Sequence, residues 1–368
     1  MGSIMKINKT KMKSNETFLY NYLNAYSPVG QEQEGQKIWT DYIKPYADFL
    51  YTDAYGTSYG VYKTKHRLNT SPPKVVIEAH CDEIAWIITN IEADGMIRVK
   101  RHGGSDNMIA PSKTVMIHTH DGKKVRGLFG WPAIHTRAEY TSKGYDPHEL
   151  WVDMGLKDKK AVTKAGVEVG NLITFDTQLE EMGDYYVGRS LDNKIGGYII
   201  AEALRKIVEQ GIKLPYDLYV VNSVQEEVGL HGAKMIAKAL QADLALVHDV
   251  CHNTNTPMIN KAKDGDNKGG EGPCLEYTAQ NHRDINKMLR DVAKDNKIPV
   301  QLTVGSMGND TMAFFMENTP TAILATPLKY MHTTCESVHK KDVKYAINLY
   351  VEFLKALTPK KINQINNR

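Results

Sequence analysis

Cysteine is scarce and scattered in this chain: Cys81, Cys251, Cys274 and Cys335 are the four in 368 residues, and no two form a CxxC pair. That spacing argues against a zinc knuckle and a thioredoxin-type redox site, and it fits reduced thiols in a cytosol. Cys81 lies between His80 and Asp82, but alternation along a strand points the three side chains in turn to opposite faces, which favours a packed thiol over a nucleophile. A surplus of one charge is lacking as well. The formal net charge is +3, and the only lysine-rich pieces are the first fifteen residues and the tail "TPKKINQINNR", read as solvated ends, so no nucleic-acid footprint is present. No apolar run reaches transmembrane length, and the start "MGSIMKINKTKMKSNET" has no apolar middle of a signal peptide. The expectation is a cytoplasmic protein with neither a membrane nor a nucleic-acid partner.

What is present is an ordinary globular composition, 42% apolar and 24% charged, in a chain long enough that two domains are expected rather than one. Short β-branched runs, "VVIEAH" at 75–80, "IAWIITNIE", "YDLYVVNSV", "ADLALVHDV" and "TAILAT", read as core strands. Helical periodicity separates them in "NKIGGYIIAEALRKIVEQG", "LHGAKMIAKAL", "HRDINKMLRDVAKDN" and "KKDVKYAINLYVEFLKAL". The alternation predicts an α/β protein with a largely parallel sheet covered by helices. Residues 97–186 break the pattern, with β-like pieces, turn signals such as "HDGKK" and no long amphipathic helix. They read as a small β domain inserted between 1–96 and 187–368, the two parts of the α/β domain. "KAKDGDNKGGEG" at 261–272 reads as a flexible surface loop.

In open α/β sheets, ligands sit outside the carboxyl ends of the strands, where this chain concentrates acids and histidines. "VVIEAHCD" ends on His80 and Asp82, "VVNSVQEE" on Glu226 and Glu227, and "LALVHD" on Asp249. The segment after "AILAT" reaches His332, and Asp192 in "GRSLDNKIGG" stands at a capping position of the longest helix. Singly each has a bland explanation, as a cap, a core histidine or a solvated loop acid. Together, two histidines and several carboxylates on one rim repel one another unless cations sit among them, and the imidazole and carboxylate mixture suits zinc, cobalt or manganese. Two other histidine features carry less: His118 and His120 in "IHTHDG" read as a surface pair, and His248 as a packed or hydrogen-bonded residue facing away from Asp249.

The motifs "HCDEI", "GRSLDNKIGG", "QEEVGLHGA", "HDV", "GPCLE" and "MHTTCE", with "PAIHTR" and "LWVDMGLKDKKAV" between them, resemble in order those of the tetrahedral aminopeptidases, relatives of the glutamyl aminopeptidases and of proteins once labelled endoglucanases. The resemblance implies a phosphorylase/hydrolase-like mixed sheet sandwiched by helices, with an inserted β-barrel-like domain used in dimer contacts, and a homo-oligomer that extends in many relatives to a dodecameric shell. It implies two divalent metal ions per subunit. By motif, His80, Asp192 and Asp249 would hold one and Asp192, Glu227 and His332 the other, with Asp192 shared. Glu226 would be the general base and Asp82 the acid that orients His80. Cys81 and "IAW" depart from the methionine and "IGF" common in relatives, and Lys329 from a frequent arginine; neither departure removes a ligand.

The function implied is removal of N-terminal residues from short peptides. A deacylase or carboxypeptidase on the same metal scaffold is the nearest alternative. A glycosidase using Glu226 and Glu227 is disfavoured because neighbours on a regular strand face opposite ways, and a non-catalytic scaffold because every ligand type and the base are present.

Overall fold

The computed structural model describes residues 5–6, 15–66, 71–136, 147–305 and 308–367. Its centre is a group of four parallel strands, in the order Asp217–Ser223, Lys74–His80, Leu244–His252 and Thr321–Lys329. All four are apolar on both faces, as a sheet covered on both sides requires. Val75, Ile77, Leu244 and Leu246 face one way, onto the helices Leu191–Glu209, Arg283–Asp295 and Lys340–Ala356. Val76, Ala245 and Val247 face the other way, toward Ile236 and Leu240 of His231–Leu240 and Phe314 of Thr311–Met316. Each fully buried Leu, Ile or Phe on these faces contributes about 1.5–3 kcal/mol.

Outside this centre the strand pairing is antiparallel, apart from the short parallel pair Cys274–Glu276 and Gln301–Thr303. Ser58–Tyr62, Phe49–Thr52 and Met5–Lys6 extend one edge antiparallel, and Glu336–His339, Tyr185–Gly188 and Glu180–Met182 extend the other, giving a mixed sheet of twelve strands. Cys274–Glu276 and Gln301–Thr303 branch from Thr321–Lys329. The resulting helix-covered mixed sheet is the phosphorylase/hydrolase-like arrangement expected.

Six further strands close into a barrel: Leu172–Phe175, Ala85–Ile91, Ile97–His102, Trp151–Asp153, Lys124–Phe129 and Thr114–His118. It has its own core around Trp86, Val99, Ile117, Phe129, Val152 and Ile173. A boundary at 97 therefore cuts through the barrel, because Ala85–Ile91 pairs with Ile97–His102 and Leu172–Phe175 and not with the large sheet. At the other end, residues 180–188 belong to the large sheet. Strand pairing is non-local, and a run such as "IAWIITNIE" does not carry the identity of its partner.

Two segments read as solvated are anchored. The tail forms a helix, Pro359–Asn366, capped by Thr358 and burying Ile362 and Ile365. The 261–272 stretch begins with a helical turn, Lys261–Asp264. Its glycines Gly270 and Gly272 donate backbone N–H bonds to buried Asp342. Of the lysine-rich first fifteen residues, only Met5, Lys6 and Asn15 are among those described, and "PAIHTR" runs into Arg137, which lies outside the described residues.

Candidate metal centre

The carboxyl ends of the parallel strands converge as expected. His80 is the last residue of Lys74–His80, and Asp249 lies within Leu244–His252. Glu226 and Glu227 do not end a strand. Asp217–Ser223 stops three residues earlier, and the chain reverses at Gln225, whose φ is +59°. This turn lets adjacent carboxylates enter one site, which a regular strand forbids. His332 also sits at a positive φ, +62°, in the link between Thr321–Lys329 and Glu336–His339.

Asp192 is not the N-cap of its helix. Ser190 occupies that place, and Asp192 lies in the first turn with non-helical φ −78° and ψ 110°, followed by a cis peptide to Asn193. Its carboxylate lies between two imidazoles: Oδ1 is 3.3 Å from His80 Nε2, and Oδ2 is 3.2 Å from His332 Nε2. Asp249 Oδ1 and Glu226 Oε2 are each 3.9 Å from His80 Nε2, and Glu227 Oε1 is 3.1 Å from His332 Nε2.

The supporting contacts orient these groups. His80 Nδ1 faces Asp82, at 3.3 Å from its carbonyl and 3.5 Å from its carboxylate. Asp82 lies beyond the end of the strand, so its position is not a matter of a shared strand face. Its two carboxylate oxygens accept the backbone N–H groups of Glu226 and Glu227, both at 3.0 Å, and so brace the turn that carries them. His332 Nδ1 donates to the carbonyl of Gly104, 3.2 Å away in the barrel, which aims Nε2 at the cluster. Gly104 has to be a glycine, since a Cβ there would run into the His332 ring.

One supporting residue escaped the sequence reading. Glu336 is buried and accepts the backbone N–H of Asp192 at 3.0 Å and of His332 at 2.7 Å, tying two distant segments together. The signal was its place as the final residue of "MHTTCE", which held no assigned role.

Electrostatically the site is a carboxylate surplus. Among the described residues, no lysine or arginine pairs with Asp192, Glu226, Glu227 or Asp249. Burial pushes Glu226 up to about 10, against the opposing pull of His80. Burial likewise raises Glu227, and raises Asp249 well above the carboxylate range. Burial alone would lower the two imidazoles, but hydrogen bonds to Asp192 and its neighbours override it; His80 is raised well above its ordinary value and His332 to about 12. Protons thus occupy the place that cations would fill. The donor set fits such cations: one ligand atom each from His80, Asp192 and Asp249 lie within 4.8 Å of one another, and so do those of Asp192, Glu227 and His332. Imidazole and carboxylate donors suit zinc, cobalt or manganese.

The remaining sequence candidates fall outside the cluster. Cys81 is buried, and burial pushes its thiol up to about 12, so it is a packed residue. His118 is not at the surface: it packs in the barrel against Tyr26, with Nε2 2.9 Å from Thr174 Oγ1, and burial lowers it to about 4. His120 is exposed, so the two form no pair. His248 is fully buried and meets Thr326 Oγ1 at 3.0 Å. No helix among the described residues is long and apolar enough to cross a membrane.

Comparison with known proteins agrees with this architecture. The putative aminopeptidase FrvX of Escherichia coli K12 is 30% identical over 359 residues, covering 95% of this chain and 97% of that protein. A TET aminopeptidase from a marine-sediment Thaumarchaeota archaeon superposes with a TM-score of 0.88 at 26% identity, covering 95% of this chain and 98% of its own. The TET1 peptidase of Pyrococcus horikoshii, described as assembling into a tetrahedron or a large octahedral shell, gives 0.81 at 26% identity over 92% of this chain and 98% of that one. The family model described as M42 glutamyl aminopeptidase matches residues 60–349, and the chain, a peptide hydrolase of the aminopeptidase class, belongs to that family.

Proposed function

We propose that this aminopeptidase works with two divalent cations, one held by His80, Asp192 and Asp249 and the other by Asp192, Glu227 and His332, with Glu226 as general base. The observation that carries the reading is Asp192, whose two oxygens each face a different histidine. When bound, such a pair supplies Lewis acidity at the scissile carbonyl and at the attacking water. Glu226 takes the proton of that water and returns it to the leaving amine. Asp82 keeps Glu226 and Glu227 at their stations through their backbone N–H groups, and the acidic rim matches the free α-amino group of a short peptide.

Blocking that amine tests the reading against a deacylase or carboxypeptidase. Aminoacyl reporters with a free N-terminus should be hydrolysed at least roughly 10²-fold faster than their N-acetylated forms, since the site would lose a charged recognition group. Faster cleavage of the acetylated form would favour the deacylase.

The barrel is proposed as the dimer contact of a homo-oligomer that extends up to a dodecameric shell. The assembly of the Pyrococcus horikoshii relative supports this, as does the separate core of the barrel. Light scattering of the intact protein at micromolar concentration should give a mass of at least two subunits; a monomer contradicts the role given to the barrel.

A further inference from the structure

Glu276 is a buried carboxylate that the mechanism above does not use. It lies at the end of the short strand Cys274–Glu276 and is 4% exposed. Its backbone carbonyl is held by the side-chain amides of Asn281 and Asn286, at 3.0 and 2.8 Å. Among the described residues its carboxylate has no such partner, and Oε2 is buried without a hydrogen bond. An ionised carboxylate left in that condition costs far more than a surface one, so an unpaired one beside a cavity points to a ligand.

The cavity is the cleft of the metal centre. A single space of about 730 Å³ is lined by His80, Asp192, Glu226 and His332 at one part and by Glu276, Thr303 and Gly305 at another. Room for the carboxylate depends on Gly305, because a Cβ at that position would collide with Glu276 Oε2. Burial is the sole cause that moves its carboxyl, up to about 7. Among the described lining residues the only lysine or arginine is Lys263, which is exposed. Val250, Val304 and Met331 line the same cleft and offer apolar surface to a methylene chain.

We propose that Glu276 selects substrates whose N-terminal residue is lysine or arginine, by receiving the cationic head of that side chain within the cleft. The proposal rests on the aminopeptidase reading of the same site. A lysyl or arginyl head brings the donors that Glu276 lacks and forms a charge-assisted bond away from bulk water. A leucyl side chain leaves the carboxylate unpaired, and a glutamyl side chain meets a like charge.

The test uses the metal-loaded full-length enzyme with lysyl, arginyl, leucyl and glutamyl anilides. Lysyl and arginyl anilides should exceed leucyl by roughly tenfold or more in kcat/KM, with glutamyl lowest. Glu276→Gln should lower the lysyl-to-leucyl ratio by roughly 10–100-fold, with metal content and thermal midpoint as controls for folding. If that variant does not fold, Gly305→Ala, which crowds the same carboxylate, should lower the same ratio. A leucyl preference in the unaltered enzyme, or a variant that slows every reporter alike, overturns the selection by Glu276 and leaves the aminopeptidase reading intact. Hydrolysis of none of the free-amine reporters overturns both.

Discussion

Glu226→Gln is expected to lower turnover by roughly 10²–10⁴ while both metals stay bound, because glutamine keeps the size and hydrogen bonding of the side chain but accepts no proton. Glu227→Gln should behave differently. Glu227 Oε1 lies against His332 Nε2 in the second ligand group, whereas Glu226 belongs to neither group. Weakening a ligand lowers metal content, and excess metal then restores part of the rate. The check is metal analysis of both purified variants beside their kcat values. Loss of an ion from Glu226→Gln with full retention by Glu227→Gln would invert the assignment of the pair.

Chelation should abolish activity, and zinc, cobalt or manganese should restore it. Without cations, the repulsion among Asp192, Glu226, Glu227 and Asp249 is relieved by protons on the imidazoles and on the raised carboxyls. A metal must displace those protons to enter. The sign follows: low pH favours the protonated site, so affinity falls as pH falls, and metal binding at neutral pH releases protons to the solvent. Equilibrium dialysis over a pH series, with proton release followed in weak buffer, measures both effects. Full activity in a verified metal-free sample, or metal occupancy that rises on acidification, would contradict the two-cation site.

A good part of this was legible in the chain. The parallel strands are continuous apolar runs with chemistry at their ends, so His80 and Asp249 could be placed on the rim from local pattern alone, and helix periodicity fixed the long covering helices within a few residues. Family motifs then named Asp192, Glu226, Glu227, Asp82 and His332 as partners. His248 and Cys81 were read as packed groups, and both are buried.

Tertiary structure decided the rest, wherever the answer depended on which distant segments meet. The barrel begins at Ala85 and not at 97 because pairing with Leu172–Phe175 is made across nearly ninety residues of chain. The two glutamates reach one site because Gln225 turns the chain with a positive φ, held by Asp82 from another strand end. Asp192 faces both histidines through an irregular first turn, not a cap. Glu336 and Glu276 stand in motifs of the sequence with no role assigned to them; one is bound to the backbone of Asp192 and His332, and the other, among the described residues, is left without a hydrogen-bond partner in the cleft. Local sequence determines periodicity and polarity, since both follow from neighbours along the chain. Which polar groups are satisfied and which are left to meet a ligand is a property of contacts across it.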